Sequence, residues 1–179
     1  MAQGGLCYGL RTLSSLIPRL CILGLIILTG CQSAGHVAKA GSFKVGKPYQ
    51  INGEWYYPRM VDRFREVGIA SWYGVPFHGR KTANGEIYDM HGMTAAHPTL
   101  PLPSIARVTN LENGRSIKVR INDRGPFAKK RVIDLSRRAA WELGFKDQGT
   151  VEVEVVYLGL ADGLERRLQR SRRRVAALD

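Results

Sequence analysis

Ser116-Ile117-Lys118-Val119-Arg120-Ile121 runs directly into Asn122-Asp123-Arg124-Gly125-Pro126-Phe127, and this junction decides the fold. Ile117, Val119 and Ile121 alternate with Lys118 and Arg120, the period-2 pattern of a strand with one buried and one wet face. The polar residues that follow, closed by Gly125-Pro126, end the strand in a turn. A carboxylate at such a junction can project into a groove, and loops on a rigid β scaffold are where chemistry usually sits. Asp123 is therefore the first candidate catalytic residue. Capping of the turn, or pairing with Arg124, is the plainer role open to it.

Outward from this junction the pattern stays β-rich. Ile105-Ala106-Arg107-Val108-Thr109 precedes Glu112-Asn113-Gly114-Arg115, whose Asn-Gly pair predicts a type I′ hairpin with the 116–121 strand. Val67 to Tyr73 reads as a first strand, followed by a long irregular segment to Pro103. Arg131-Val132-Ile133-Asp134-Leu135 is a further short strand. Thr150 to Leu158 alternates cleanly and closes the sheet. One helix stands out, with Ser136 as N-cap, Ala139, Ala140 and Leu143 at helical spacing, and Gly144 as the stop. Several short strands with few helices imply a small closed barrel over residues 67–160. Before it, Asn52-Gly53 between Tyr49 and Tyr57 predicts a type I′ hairpin, making residues 48–66 an aromatic extension.

Polar groups gather in the loops of this barrel. Glu86 follows the turn pair Asn84-Gly85, and Asp89 lies three residues on. Their spacing allows both carboxylates to face one cleft, where like charges raise one pKa toward that of a general acid. His97 stands in a proline-rich loop that would hold its imidazole firmly, either toward a carboxylate or a sugar hydroxyl or as a plain structural histidine. Trp72 and Tyr73 are adjacent on a strand and point to opposite faces, so one can line a groove while the other packs the core. Asn84, Asn122 and Arg124 complete the candidate binding set. His78, His91, His97 and Asp89 are near in sequence, but no helical two-histidine motif or zinc spacing is present. Neither a metal site nor a cofactor is predicted. No nucleophile elbow is found.

The ends suggest a place for this chemistry. Residues 1–30 carry Arg11 and Arg19, no acid, and the apolar run Leu20 to Leu28, too short to span a bilayer. Leu28-Thr29-Gly30-Cys31 resembles a bacterial lipobox, which implies a cleaved leader and a lipidated Cys31. Gln32 after the cysteine resembles an outer-membrane sorting signal. Residues 31–47 then read as a tether. The chain is strongly basic, with a formal net charge of +12. For an exported protein that charge points to anionic lipid or cell-wall carboxylates and not to nucleic acid. Residues 161–179 place Arg166, Arg167, Arg170, Arg172, Arg173 and Arg174 among leucine-spaced apolar positions. They read as a basic amphipathic tail, either lying on an anionic surface or simply solvated.

Taken in order, several motifs are recognisable. They are Gly68-Ile69-Ala70-Ser71-Trp72-Tyr73-Gly74, Thr82-Ala83-Asn84-Gly85-Glu86, Met93-Thr94-Ala95-Ala96-His97, Val119 to Phe127 and Arg131 to Ser136. Over residues 67–158 they resemble the rare lipoprotein A (RlpA) family. The resemblance implies a mainly β fold, a six-stranded double-psi β-barrel, and a lytic transglycosylase acting on peptidoglycan. Such enzymes cleave the MurNAc–GlcNAc β-1,4 bond without water, prefer peptide-free strands and leave 1,6-anhydro-MurNAc ends. It implies Asp123 as the acid/base and strengthens Glu86, Asp89 and His97 as catalytic candidates. Members often carry a C-terminal SPOR domain; none is expected in residues 161–179. The expected location is the outer membrane facing the periplasm. A peptidoglycan-binding lipoprotein using the same groove without catalysis is the alternative.

Overall fold

In the computed structural model, which describes residues 41–176, the alternating segments close into one six-stranded barrel. The leader, the lipobox with Cys31, and residues 31–40 of the tether lie outside the described residues.

Two short strands come first, β1 (Tyr49–Ile51) and β2 (Glu54–Tyr56), paired antiparallel. Asn52 and Gly53 between them have φ of 51° and 83°, the positive pair that a type I′ turn requires. The barrel consists of β3 (Arg65–Tyr73), β4 (Thr94–Ala96), β5 (Ser104–Asn110), β6 (Ser116–Asp123), β7 (Arg131–Ser136) and β8 (Val151–Leu160). Their order around it is β3-β7-β4-β6-β5-β8. The β3–β7 and β4–β6 pairs are parallel and the others antiparallel. Gly68 permits the close approach of β3 and β7, since a Cβ there would lie 2.4 Å from Val132 Cγ1.

The interior is filled from every strand, with Ala70, Val108, Val119, Ile121, Ile133, Leu135, Val153 and Val155 all essentially inaccessible. Each large aliphatic side chain removed from water in this way contributes about 1.5–3 kcal/mol. Helix α1 (Arg137–Leu143) caps the barrel with Ala139, Ala140 and Leu143. Ser136 Oγ accepts from Ala139 N–H at 3.1 Å, and Gly144 ends the helix with φ 82°. A second helix, α2 (Leu164–Val175), follows β8.

Three readings of the sequence change. The segment from Gly74 to Pro103 is not wholly irregular, because it contains β4. Ala95 and Ala96 are too few and too small to announce a strand, and β4 exists because it is sandwiched between β6 and β7. The β5–β6 connection is not a second Asn-Gly type I′ turn. Asn113 keeps a negative φ, and the Asn110 carboxamide oxygen instead accepts from Glu112 N–H at 2.9 Å and organises a longer loop. Finally, the last part of the expected tether is docked. Lys44 and Leu102 exchange backbone hydrogen bonds at 2.7 and 2.8 Å, and Ser42 N–H donates to Asn84 O at 2.9 Å.

Candidate active site

The barrel topology creates a cleft of about 340 Å³ whose lining includes Tyr73, Phe77, Asp123, Phe127, Arg131 and Asp134. Ala96 of β4 is the register partner of Asp123 on β6 and of Asp134 on β7. Two aspartates therefore flank one alanine across three adjacent strands, and neighbouring strands are roughly 4.8 Å apart. The small Ala96 side chain leaves the space between them open.

Asp123 ends β6, just past the register shift that pairs Ala95 with Ile121 but Ala96 with Asp123. Its Oδ1 accepts from Ala83 N–H and Arg124 N–H, each at 2.8 Å. Both bonds fall on the same oxygen, so proton chemistry is left to Oδ2. Burial pushes the Asp123 carboxyl above the usual carboxylate range, against the opposing pull of these two N–H groups and the Arg124 charge. Burial raises Asp134 as well, with Arg131 opposing. Asp134 Oδ2 lies 3.3 Å from Arg131 Nη2, while Oδ1 is buried without a hydrogen-bond partner. An unpaired buried carboxyl oxygen costs about 1–3 kcal/mol, the kind of strain that functional sites retain. Sequence reasoning passed over Asp134. The available signal was a lone carboxylate in an otherwise apolar strand, on the face opposite Ile133 and Leu135.

The aromatic wall comes from Tyr73, stacked on Tyr88 at 4.2 Å and edge-on to Phe77 at 5.8 Å. Burial drives the Tyr73 phenol far above its ordinary value, and the charges of Asp123 and Asp134 add to the effect. It stays protonated. Phe127, on the other side, touches the β1–β2 extension edge-on through Tyr49 and Tyr56, at 6.0 and 5.5 Å.

The remaining candidates are placed differently. Trp72 takes the opposite face from Tyr73, packs against the core, and donates from Nε1 to Lys146 O at 3.0 Å. It does not line the cleft. Glu86 does not share a cleft with Asp89. Its carboxylate accepts from Arg120 Nη2 at 2.6 Å, Asn122 Nδ2 at 2.7 Å and Asn84 Nδ2 at 2.9 Å. Burial pushes Glu86 up, but these bonds outweigh it and hold the carboxyl below its ordinary value. The raised pKa expected from a like-charge pair is therefore replaced by a lowered one. Arg120 also grips Asp162 at 2.7 and 2.9 Å. Asn84 and Asn122 are buried parts of this network and shape the loop whose Ala83 N–H reaches Asp123.

Asp89 is exposed, accepts from His91 N–H at 2.9 Å, and lies 3.7 Å from His78. His97 is completely buried, not open to the cleft. Its Nδ1 accepts from Thr99 and Leu100 N–H at 3.2 and 3.1 Å. The ring proton is thereby left on Nε2, 3.5 Å from Glu66 Oε2. Burial lowers the imidazole pKa against the opposing Glu66 charge, so it is neutral. Its backbone supports the site: His97 N–H donates to Asp123 O at 3.1 Å, and His97 O accepts from Arg124 Nη1 at 3.1 Å. Arg124 lines the cleft, but its guanidinium is committed to three carbonyls, those of His97, Leu100 and Val45. Among the described residues no three His, Cys, Asp or Glu side chains converge as a metal centre would need.

Comparison with known proteins agrees with this architecture. The family model described as lytic transglycolase matches residues 65–155. The endolytic peptidoglycan transglycosylase RlpA of Pseudomonas aeruginosa (strain UCBPP-PA14) is 60% identical over 116 residues, covering 64% of this chain and 34% of that protein. Its namesake from Neisseria meningitidis serogroup B (strain ATCC BAA-335 / MC58) is 52% identical over 126 residues, 69% of this chain and 53% of that one. The chain thus spans about a third to a half of the length of these relatives. Among solved structures, the Streptomyces papain inhibitor is similar at a TM-score of 0.44 with 24% identity, over 53% of this chain and 94% of that one. The chain belongs to the lytic transglycolase family of double-psi β-barrel domains, the family of the RlpA proteins.

Proposed function

We propose that this chain is a lytic transglycosylase that cleaves the MurNAc–GlcNAc β-1,4 bond of peptidoglycan, preferring peptide-free strands. The observation that carries the reading is Asp123 in the cleft, with Oδ1 tied to two backbone N–H groups and its proton affinity raised by burial. A glycosidic oxygen leaves only if it is protonated as the C1–O bond breaks, and the sugar then develops oxocarbenium character. Asp123 Oδ2–H supplies that proton. The MurNAc C6 hydroxyl attacks C1, and the Asp123 carboxylate takes the hydroxyl proton. The acid is restored and a 1,6-anhydro ring is formed. One residue serves as acid and then as base, without water.

Asp134 supports this cycle from across Ala96. Its negative charge when ionised stabilises positive charge developing at C1, and Arg131 holds its orientation. Tyr73, Phe77 and Phe127 offer apolar faces for the sugar rings. Attachment through a lipidated Cys31 to the outer membrane, facing the periplasm, belongs to the same proposal and rests on the lipobox and on Gln32 after it.

The experiment is digestion of peptide-free glycan strands followed by mass spectrometry. Anhydro-ended fragments are expected. Fragments with reducing ends would make the protein a hydrolase, and tight binding without release of fragments would make it a binding module.

A further inference from the structure

We infer that α2 is an electrostatic dock for a bilayer surface containing anionic phospholipid, independent of the glycan cleft. Arg166, Arg167, Arg170, Arg173 and Arg174 are all exposed. At 3.6 residues per turn they fall within an arc of about 120°. The stripe they form is about 12 Å long at 1.5 Å per residue. Leu168 falls almost opposite its centre and lines a depression with Met60, Val61 and Leu158 at the edge of the barrel. The apolar side of the helix is thus turned to the protein, and the guanidinium side faces away.

The root of the helix is fixed to the barrel. Ala161 N–H donates to Pro103 O at 3.0 Å, and the Asp162 carboxylate holds Arg120. Arg167 Nη2 reaches Asp162 O at 3.4 Å. Among the described residues no carboxylate pairs with any of the five arginines.

The chemistry of the stripe selects its partner. It is convex and carries no aromatic side chain, so it has no platform on which a base or sugar ring could stack. Guanidinium groups match phosphate oxygens in a bidentate fork, and a lipid headgroup layer presents phosphates in a plane. A polybasic patch is a common companion to a lipid anchor, and a lipidated Cys31 would supply that anchor at the other end of the chain.

The test is hydrogen exchange of the α2 amides in the full chain, with vesicles of phosphatidylcholine alone or mixed with phosphatidylglycerol. The readout is local, so membrane binding by the apolar leader does not obscure it. Slowed α2 exchange is expected with the mixed vesicles only, reversed by high salt. Partition onto the mixed vesicles should fall roughly fivefold per arginine removed. The variant with Arg166, Arg167, Arg170, Arg173 and Arg174 all replaced by glutamine should lose the protection while still cleaving soluble glycan. Equal protection by both vesicles, none by either, or protection retained in the glutamine variant would overturn the inference. So would protection by purified peptidoglycan but not by the mixed vesicles, which would mark a polymer dock.

Discussion

Asp123 and Asp134 are joined through Ala96, which pairs in register with both of them. β4 is only three residues long, yet it fixes the spacing of the two carboxyl groups, because it is hydrogen-bonded to β6 on one side and β7 on the other. Chemistry and topology meet at that alanine.

Asp123→Asn keeps the shape of the side chain and both N–H contacts, but cannot give up a proton. General acid–base catalysis contributes typically 10²–10⁴-fold, so anhydro-product release should fall by about that factor. Circular dichroism should not change. Turnover within tenfold of the parent would remove Asp123 from the acid/base role.

Asp134→Asn should lower turnover by roughly a hundredfold while making the protein more stable at neutral pH. Burial raises the folded pKa above the unfolded one. The folded state therefore binds the proton more tightly, and stability declines as pH rises from the unfolded to the folded pKa. Asparagine escapes that loss. Urea midpoints should show the variant ahead at pH 7 and level with the parent in acid.

Glu86→Gln should act with the opposite sign. The folded Glu86 carboxyl is depressed, chiefly because hydrogen bonds from Arg120, Asn122 and Asn84 overcome burial. Its contribution is present above the unfolded pKa and disappears as pH falls through the folded one. Weakening these charge-assisted bonds should cost about 2 kcal/mol at pH 7, with the deficit shrinking in acid. A deficit that does not vary with pH would show that the Arg120 network is not its source.

His97→Ala leaves the N–H groups of Thr99 and Leu100 without their acceptor and opens a hole beside Phe64, whose ring is 5.1 Å away. The expected loss is about 3 kcal/mol of stability. The pH–rate profile of the parent should show no limb belonging to an imidazole of ordinary pKa, because burial keeps His97 neutral. A limb that vanishes in a folded His97 variant would instead give the ring a direct proton-transfer role.

Gly41→Val tests the docked N-terminal segment. A Cβ at position 41 would lie 2.3 Å from Asn84 Nδ2 and 2.6 Å from Glu86 Oε1. The segment must lift, which frees the Lys44 and Leu102 amides and takes Val45 O away from Arg124. Faster amide exchange at Lys44 and Leu102 should accompany a several-fold fall in turnover. Unchanged exchange would mean that the segment is not held at Gly41.

Local pattern by itself determined the strands with clean alternation, the Asn52-Gly53 hairpin, the Ser136-to-Gly144 helix and the placing of Asp123 at a strand end. Those features depend on neighbours a few residues apart, which a sequence displays directly. β4 was hidden because a three-residue strand has too little period to read and is stabilised only by partners far along the chain. Asp134 was hidden for a related reason: its place opposite Ile133 and Leu135 marks a polar face, but only the folded barrel shows that this face meets a cleft and not solvent. The tertiary structure alone decided that Glu86 answers to Arg120, 34 residues away, and that His97 is buried against Phe64. Burial and long-range pairing set protonation, and both are properties of the closed sheet.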